Sequence, residues 1–510
     1  MAQPNIIHLA NGQMKGDTDR QAVKDLIAKA VEHKDPGGMV VHFHGGLIAY
    51  NAGIDIANKL HPVYDAGGAL PVFFVWESGL WEIVRNNIGE LAKEHLFKLL
   101  WKRVANMVKR KLMQELGMKN AGKLPPLSSA KSDAAIELAL AGIDTEALLR
   151  DEPPIIDGLE EMTQAEMDAL ERELMYDAPL TTELREVSAS LRTPEEIAAD
   201  MGSKSVLTVR SNTRTLLDPA AVDRYVDRPT PNAKGIISAA KFLRSVVMIA
   251  ARVIKRYIQK RDHGFHATVV EEIMREYYLA NIGGAVWELM KKDTADAFQD
   301  DADVYGGTCF LTELKAVWKE DAPTRVTLVG HSTGAIYIAE FMATAERLFG
   351  AGKGPVFDVV FLAPAATFEC CAAMLENNDA RLGRVAQDHR RFRMFTMSDE
   401  NERNDQLIPK LKLVYPHSLL YFISGVLEKD GGGDMPIVGM QRYFDARLYS
   451  GAKYPEIVPF RTLVEQHAAH GVWSKQLGDN GLTSASLNHG DFDDDQATRS
   501  SLIHILKHGF

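Results

Sequence analysis

The segment with the clearest capacity for chemistry is the pentapeptide Gly330-His331-Ser332-Thr333-Gly334. A short β-branched run precedes it and a helix-forming run follows it, which predicts a strand, a sharp turn and a helix. A serine at the tip of so tight a turn exposes its hydroxyl, and the residues two before and two after it must be small. Gly330 and Gly334 meet this condition. The pattern therefore predicts a nucleophile at Ser332, with a glycine-rich turn that performs no chemistry as the alternative.

A second glycine-rich turn, His44-Gly45-Gly46, follows the apolar run Met39–Phe43. Because turn residues bound this run on both sides, it predicts a buried central strand that ends in a loop. Glycines in such a loop leave backbone N–H groups unshielded, and these groups can donate hydrogen bonds to a developing oxyanion. We therefore predict that Gly45 and Gly46, together with the N–H of Thr333, form an oxyanion hole. A plain glycine turn is the alternative.

In chain order, the glycine loop, the serine turn, an acidic loop after a late strand and a histidine before the last helix resemble the α/β-hydrolase superfamily of serine hydrolases. The likeness is strongest to esterases and lipases. It covers about residues 37–78 and 305–510. The resemblance implies the α/β-hydrolase fold, with a mainly parallel central sheet, and a reaction that needs neither a metal nor an organic cofactor.

The resemblance also implies which residues assist the serine. His489, on a Gly-flanked loop before a predicted final helix at 496–507, is expected to be the general base. The acid that orients it is expected on the loop after a predicted strand at 393–396. We favour Asp399 because it follows this strand directly, and Asp405 is the second choice. Taken singly, each acid could also be a solvated loop charge or a helix N-cap, and His489 a surface histidine.

The predicted strands fall into two blocks of the chain. A helix at 52–65 lies between the first predicted strand and another at 70–76, and such a βαβ unit implies a parallel sheet. Little that resembles a strand follows until about residue 326. We therefore predict that residues 1–78 and 305–510 form one α/β core, which a mostly helical cap or lid at 79–304 interrupts.

This insertion divides by charge. Ten Lys or Arg residues stand against three Glu from Arg85 to Lys123, where apolar residues recur with the spacing of an amphipathic helix. Nineteen acidic residues stand against five basic ones from Lys131 to Asp200. A third part, Ala233–Arg261, is helical and basic at its end. We expect the opposite charges to meet inside the folded insertion. The alternatives are peripheral contact of the basic helices with an anionic membrane, a lid over an apolar cleft, and a protein partner.

Composition limits the remaining classes of protein. A formal net charge of −11 argues against a nucleic-acid-binding protein, and 46% hydrophobic with 25% charged residues is typical of a folded soluble chain. No apolar run approaches the roughly 18 to 20 residues that a transmembrane span needs, and we expect no export signal. The three cysteines, Cys309, Cys370 and Cys371, lack the spacing of a zinc site or a disulfide framework. They indicate packing roles and a cytoplasmic location.

Together these features predict a serine hydrolase that cleaves carboxylic esters, small or lipid-like, through an acyl-enzyme intermediate. A thioesterase, an amidase or an acyltransferase would use the same residues. An interaction protein on a hydrolase scaffold, without catalysis, is the alternative of a different class. The sequence leaves the acyl chain, the leaving group and the oligomeric state open.

Overall fold

The computed structural model describes residues 5–46, 48–77, 81–115, 159–190, 215–227, 236–279, 282–386, 389–408, 414–428 and 433–510. Within them, eight strands form one central sheet, which is parallel except for a two-residue edge strand, and two more form a separate short hairpin. The strands are β1 (Asn5–Ala10), β2 (Gln13–Met14), β3 (Gly38–Phe43), β4 (Ala69–Trp76), β5 (Val226–Asp227), β6 (Ile236–Ile237), β7 (Val326–His331), β8 (Phe357–Leu362), β9 (Phe392–Met397) and β10 (Gly471–Ser474).

Helices cover both faces of the sheet and make up most of the insertion. They are α1 (Arg20–Glu32), α2 (Tyr50–Ala66), α3 (Trp81–Leu91), α4 (His95–Glu115), α5 (Gln164–Met175), α6 (Ala178–Ser190), α7 (Pro219–Tyr225), α8 (Ala239–Ile258), α9 (Phe265–Tyr277), α10 (Gly284–Asp296), α11 (Gly306–Val317), α12 (Gly334–Phe349), α13 (Phe368–Asn378), α14 (Asp399–Asn404), α15 (Leu419–Phe422), α16 (Val458–Gln466) and α17 (Gln496–His508).

The order of the strands creates a site at one end of the sheet. Across the sheet the order is β10-β9-β8-β7-β3-β4-β1-β2. The chain adds β4 on one side of β3 and later adds β7 on the other side. In open parallel sheets, ligands bind in the crevice at the carboxyl ends of strands where the order reverses in this way. The glycine loop follows β3 and the serine turn follows β7, so both lie at this crevice.

The central strands are buried along their whole length, as their near-continuous apolar sequences predict. Successive side chains of β3 belong to different hydrophobic clusters. Val40 packs in the cluster that α2 and α17 supply, whereas Met39 and Val41 pack in the cluster on the opposite face. The predicted α/β class, with a mainly parallel central sheet, is confirmed.

The insertion is mostly helical in its described residues, as predicted, and it shares one hydrophobic cluster with the sheet. Leu100 of α4, Val246 of α8 and Ile273 of α9 belong to the same cluster as Phe74 of β4 and Leu328 of β7. Apolar burial of this kind is the main favourable term in folding. It holds the insertion against one face of the core.

The predicted meeting of opposite charges inside the insertion is confirmed for its described helices. Basic side chains of α4 bond to acidic side chains of α5 or of the residue that precedes α6. These pairs are Arg103 with Asp177, Arg110 with Glu173, and Lys111 with Glu166. Of the two charge-biased intervals, residues 116–123, 131–158 and 191–200 lie outside the described residues.

A buried ion network joins the insertion to the core. It consists of Arg256 of α8, Glu271 of α9, Arg261 and His263 between these helices, and Asp434 of the core. His263 Nδ1 lies 2.8 Å from a Glu271 oxygen, and Arg261 Nε donates to Asp434 Oδ1 at 2.5 Å. A lid movement of α8 and α9 would have to break these bonds.

The two-residue strands β5 and β6 of the insertion were not predicted, and neither were β1, β2 and β10 of the central sheet. Of the latter three, β2 and β10 are short edge strands, and β1 lies next to an edge of the sheet. Their residues are only partly buried or alternate in burial, so their sequences carry a weak strand pattern. None of the helices in the described part of the chain combines the length and apolar character needed to cross a bilayer.

Candidate active site

Ser332 stands at the tip of the turn between β7 and α12. Its φ is +55°, a region that residues other than glycine seldom occupy. Added Cβ atoms show why its neighbours are glycines: on Gly330 one would lie 2.6 Å from the main chain of Gly334, and on Gly334 2.3 Å from Phe43 O. The turn can therefore fold this tightly against itself and against β3 only with glycine at both positions. The predicted strand, turn and helix are confirmed.

His489 reaches this serine from a part of the chain 157 residues away. Its Nε2 lies 2.9 Å from Ser332 Oγ. Burial of the imidazole, reinforced by nearby His331, lowers the pKa of His489 to about 3, so the ring is neutral near pH 7. A neutral ring that carries its proton on Nδ1 accepts a hydrogen bond from the Ser332 hydroxyl. The structure thus brings together the predicted nucleophile and base.

The structure corrects the choice of acid. Asp399 accepts hydrogen bonds from the Tyr421 hydroxyl at 2.6 Å and from Arg403 Nε at 3.0 Å, and it does not bond to His489. Although burial acts to raise it, the pKa of the Asp399 carboxyl lies below its usual range because Arg403 and another nearby arginine favour the charged form. The prediction for Asp399 was wrong because it starts a helix directly after β9, whose first turn carries its side chain towards these partners.

Asp405, the second choice for the acid, follows the six-residue helix α14 and lines a cavity beside Ser332. Its Oδ2 accepts the main-chain N–H of His489 at 3.0 Å. Burial raises the pKa of Asp405, while the hydrogen bond from the His489 N–H opposes the rise. Within the described part of the chain, the buried Nδ1 of His489 has no hydrogen-bond partner. Asp405 therefore positions the backbone of His489 but does not contact its ring.

The glycine loop lies beside Ser332, and one of its N–H groups is already engaged. A Cβ on Gly45 would lie 3.3 Å from Ser332 Cβ, which places this glycine against the nucleophile. The Gly46 N–H donates to Thr333 Oγ1 at 2.6 Å, so the prediction that Gly46 donates to an oxyanion does not hold in this arrangement. Among the described residues, the N–H groups of Gly45 and Thr333 have no acceptor.

His44 explains why the glycine loop keeps its position. Its Nδ1–H donates to Gly45 O at 2.6 Å, and its Nε2 accepts the Trp76 N–H at 3.1 Å. Burial lowers the pKa of His44 to about 4, so the ring stays neutral and retains one donor and one acceptor. The loop after β3 is thereby tied to the carboxyl end of β4.

Two further residues belong to the site, and only the second escaped the sequence analysis. His331, predicted as part of the turn, donates through Nε2–H to His489 O at 3.0 Å. Its Nδ1 lies 3.8 Å from a carboxylate oxygen of Asp493, which lines the same cavity. Asp493 stands in the acidic run just before α17, where the side chain of Asp495 caps the helix.

A cavity of about 380 Å³ opens at Ser332 and His489. Its lining combines aliphatic side chains with carboxylates, amides and the glycine loop. The lining residues are Gly45, Gly46, Ile48, Ile56, His331, Ser332, Asp405, Gln406, Leu407, Leu419, Asn488, His489, Gly490, Asp491 and Asp493. Small-molecule sites commonly have this size and this mixture of apolar walls and a few polar groups.

Another cluster has the residue types of a metal site. His389, His467 and His470 offer nitrogens within 4.8 Å of one another, at the amino ends of β9 and β10. The rings of His389 and His467 stack with an interplanar angle of 8°, so their in-plane lone pairs do not converge on one point. Both ring nitrogens of His470 bond to the main chain. This geometry is that of a stacked histidine cluster and differs from a tetrahedral metal centre.

No family model, curated protein or solved structure matches this chain. Fold and site alone therefore define its class. It is an α/β protein with a buried serine-histidine pair at the carboxyl edge of a mainly parallel sheet.

Proposed function

We propose that this chain is a serine hydrolase of the α/β-hydrolase type that cleaves carboxylic esters. The observation that carries the proposal is the 2.9 Å contact between Ser332 Oγ and His489 Nε2 at a turn where Ser332 has a φ of +55°. A serine hydroxyl is a poor nucleophile unless a base lies within hydrogen-bond reach. Backbone strain at a nucleophile is typical of the strand-to-helix turn of α/β-hydrolases.

The geometry supports a conventional acyl-transfer sequence. Ser332 Oγ attacks the acyl carbon while His489 Nε2 takes its proton. The N–H groups of Thr333 and Gly45 donate to the resulting oxyanion. His489 then gives the proton to the leaving alcohol, and a water molecule hydrolyses the acyl-enzyme by the same steps.

Asp405 is the orienting acid in this proposal. The imidazole becomes positively charged during the reaction, and its Nδ1–H then needs an acceptor. Asp405 already accepts the His489 main-chain N–H, and in this proposal a local rotation of the Asp405 side chain joins its carboxylate to Nδ1 while the ring keeps its contact with Ser332. A neighbouring carboxylate in this position also stabilises the imidazolium.

The size of the cavity favours short acyl groups. A volume of about 380 Å³, with Ile56, Leu407 and Leu419 among its walls, suits a small ester. We therefore propose an esterase.

We also propose a cytoplasmic location, which accords with the free thiols of the adjacent Cys370 and Cys371.

Covalent labelling with a fluorophosphonate probe tests the proposal. We expect labelling of the wild-type protein at Ser332, located by peptide mass spectrometry, and its loss in Ser332→Ala. Ser500→Ala, a change of the same kind at an exposed helix position, is the matched control and should label normally. The proposal fails if labelling persists in Ser332→Ala, or if the folded protein neither labels nor hydrolyses p-nitrophenyl acetate and butyrate.

A further inference from the structure

The cavity beside Ser332 carries an excess of negative charge. Asp405, Asp491 and Asp493 line it, whereas no lysine or arginine lines it in the described part of the chain. The other titratable groups of its lining are His331 and the neutral His489. Even with a proton on His331, the carboxylates leave the lining negative.

Asp493 is the most informative of these acids because it is buried without a hydrogen bond. Its exposed fraction is 6%, and no described residue donates a hydrogen bond to its carboxylate. The Nδ1 of His331 lies 3.8 Å away, which is beyond hydrogen-bond distance but close enough for an ion pair when the ring is protonated. A buried carboxylate is costly unless another group pairs with it. A cation that enters the cavity would supply such a pair.

Two cations close to this segment are engaged elsewhere. The side chains of Lys59 and Arg499 both bond to Asp494, and Arg499 reaches only the main-chain oxygen of Asp493. Neither residue lines the cavity. Within the described part of the chain, no lysine or arginine therefore pairs with the carboxylates of the lining.

We propose that the cavity takes esters that carry an alkylammonium group near the scissile bond, and that Asp493 and Asp491 attract this group. The inference rests on the proposed hydrolase function and names its substrate class. Aliphatic walls such as Ile56 and Leu419 suit the carbon atoms around the nitrogen. The reaction itself is unchanged: the acyl C–O bond breaks, and water supplies the oxygen of the acid and the proton of the alcohol.

Matched pairs of esters isolate the charge. Butyrylcholine and 3,3-dimethylbutyl butyrate differ only in having N⁺ or carbon at the branched centre of the alcohol. The p-nitrophenyl esters of 4-(trimethylammonio)butanoic acid and 5,5-dimethylhexanoic acid provide the same contrast on the acyl side, with the charge too far from the carbonyl to activate it strongly. At low salt we expect kcat/KM for the cationic member of at least one pair to be higher by about tenfold. High salt should reduce the ratio towards one.

Substitutions assign the effect to the cavity. Asp493→Asn should lower the cationic-to-neutral ratio towards one, whereas Asp494→Asn, which removes the same charge one residue further on, should leave it near the wild-type value. If Asp493→Asn does not fold, Asp491→Asn at an exposed position is the second variant, with an expected partial decrease. A ratio of one or less for both pairs in the wild type, or an equal decrease in Asp494→Asn, would overturn the inference.

The outcomes separate this inference from the proposed function. Hydrolysis of both members of a pair at equal rates removes only the charge preference. Absence of both hydrolysis and Ser332 labelling removes the hydrolase function itself. If the protein labels but turns over none of these esters, tetramethylammonium chloride should slow labelling more than sodium chloride at equal ionic strength. Equal rates in the two salts would then contradict the inference.

Discussion

The candidate active site and the buried ion network are both polar and buried, but they differ in how completely their groups are paired. In the network, Glu271 bonds to Arg256 at 2.7 Å, to His263 at 2.8 Å and to the Tyr415 hydroxyl at 2.7 Å. Burial acts to raise the pKa of Glu271, but the charges of His263 and Arg256 hold this pKa at about 2. Each atom there has a structural partner.

At the active site, by contrast, polar groups are left available. His489 Nδ1 and the Asp493 carboxylate have no hydrogen bond among the described residues, and Ser332 holds a strained backbone. Native proteins pair nearly all buried polar groups, so an unpaired ring nitrogen next to a serine with a strained backbone is consistent with function. Complete pairing indicates a stabilising role.

The largest effect is expected from a substitution that breaks the serine-histidine pair. Ser332→Ala should lower kcat on p-nitrophenyl butyrate by on the order of 10⁴ to 10⁶, because the nucleophile is lost. The thermal unfolding midpoint should fall only slightly, since the substitution removes one hydroxyl and its single hydrogen bond to His489. A catalytic loss below tenfold would place the chemistry elsewhere in the molecule.

The next largest effect is expected from substitution of Asp405, and it distinguishes this acid from Asp399. Asp405→Asn should lower kcat by about 10⁴, because the imidazole loses the group that sets its tautomer and stabilises its charge. Asp399→Asn, the matched control, should change kcat by less than about tenfold and should instead lower stability, since Arg403 loses a charged partner. The reverse pattern in steady-state kinetics would restore Asp399 as the triad acid.

A third prediction concerns the network alone. Asp434→Ala should decrease the free energy of unfolding by about 3–5 kcal/mol, because it leaves Arg261 and His263 buried without this partner. Chemical denaturation provides the measurement. Arg447→Ala, which breaks an exposed pair with Asp445, is the control and should cause no measurable change. A destabilisation as small as that of the control would show that the network does not anchor the insertion.

The smallest expected effect is on the pH dependence of activity. Burial holds the pKa of His489 at about 3, below the ordinary value of 6.5, so the ring stays a neutral base as the pH falls through 6.5. The acid limb of kcat/KM should therefore lie below pH 6.5. A limb at or above 6.5 would contradict the unpaired state of the ring and would indicate a carboxylate at Nδ1. Asp405→Asn would then move the limb to lower pH.

Buried neutral histidines also affect stability. The unfolded chain binds a proton at His489 below about pH 6.5 that the folded protein, with a pKa of about 3, does not bind. Stability is therefore lost as the pH falls from 6.5 towards 3. His44, with a pKa of about 4, acts in the same direction.

The sequence alone determined much of this protein because local physical rules govern those features. Apolar and β-branched runs placed β3, β4 and β7, a further strand was predicted close to β9, and helices were predicted close to α2 and α17. Glycine at 330 and 334 identified the serine turn, since only glycine tolerates contacts as close as 2.3 Å to 2.6 Å at its missing Cβ. The serine was found in this way, whereas the histidine was predicted from the resemblance to α/β-hydrolases.

Tertiary structure alone decided which acid meets the histidine, which N–H groups remain available and which charges enter the cavity. Asp405 and His489 are 84 residues apart, and Thr333 and Gly46 are 287 apart. No local pattern encodes contacts of this range, because they depend on how a short helix and several loops pack at one end of the sheet. We propose a role for Asp493 only because the folded chain buries its carboxylate in the cavity that contains Ser332.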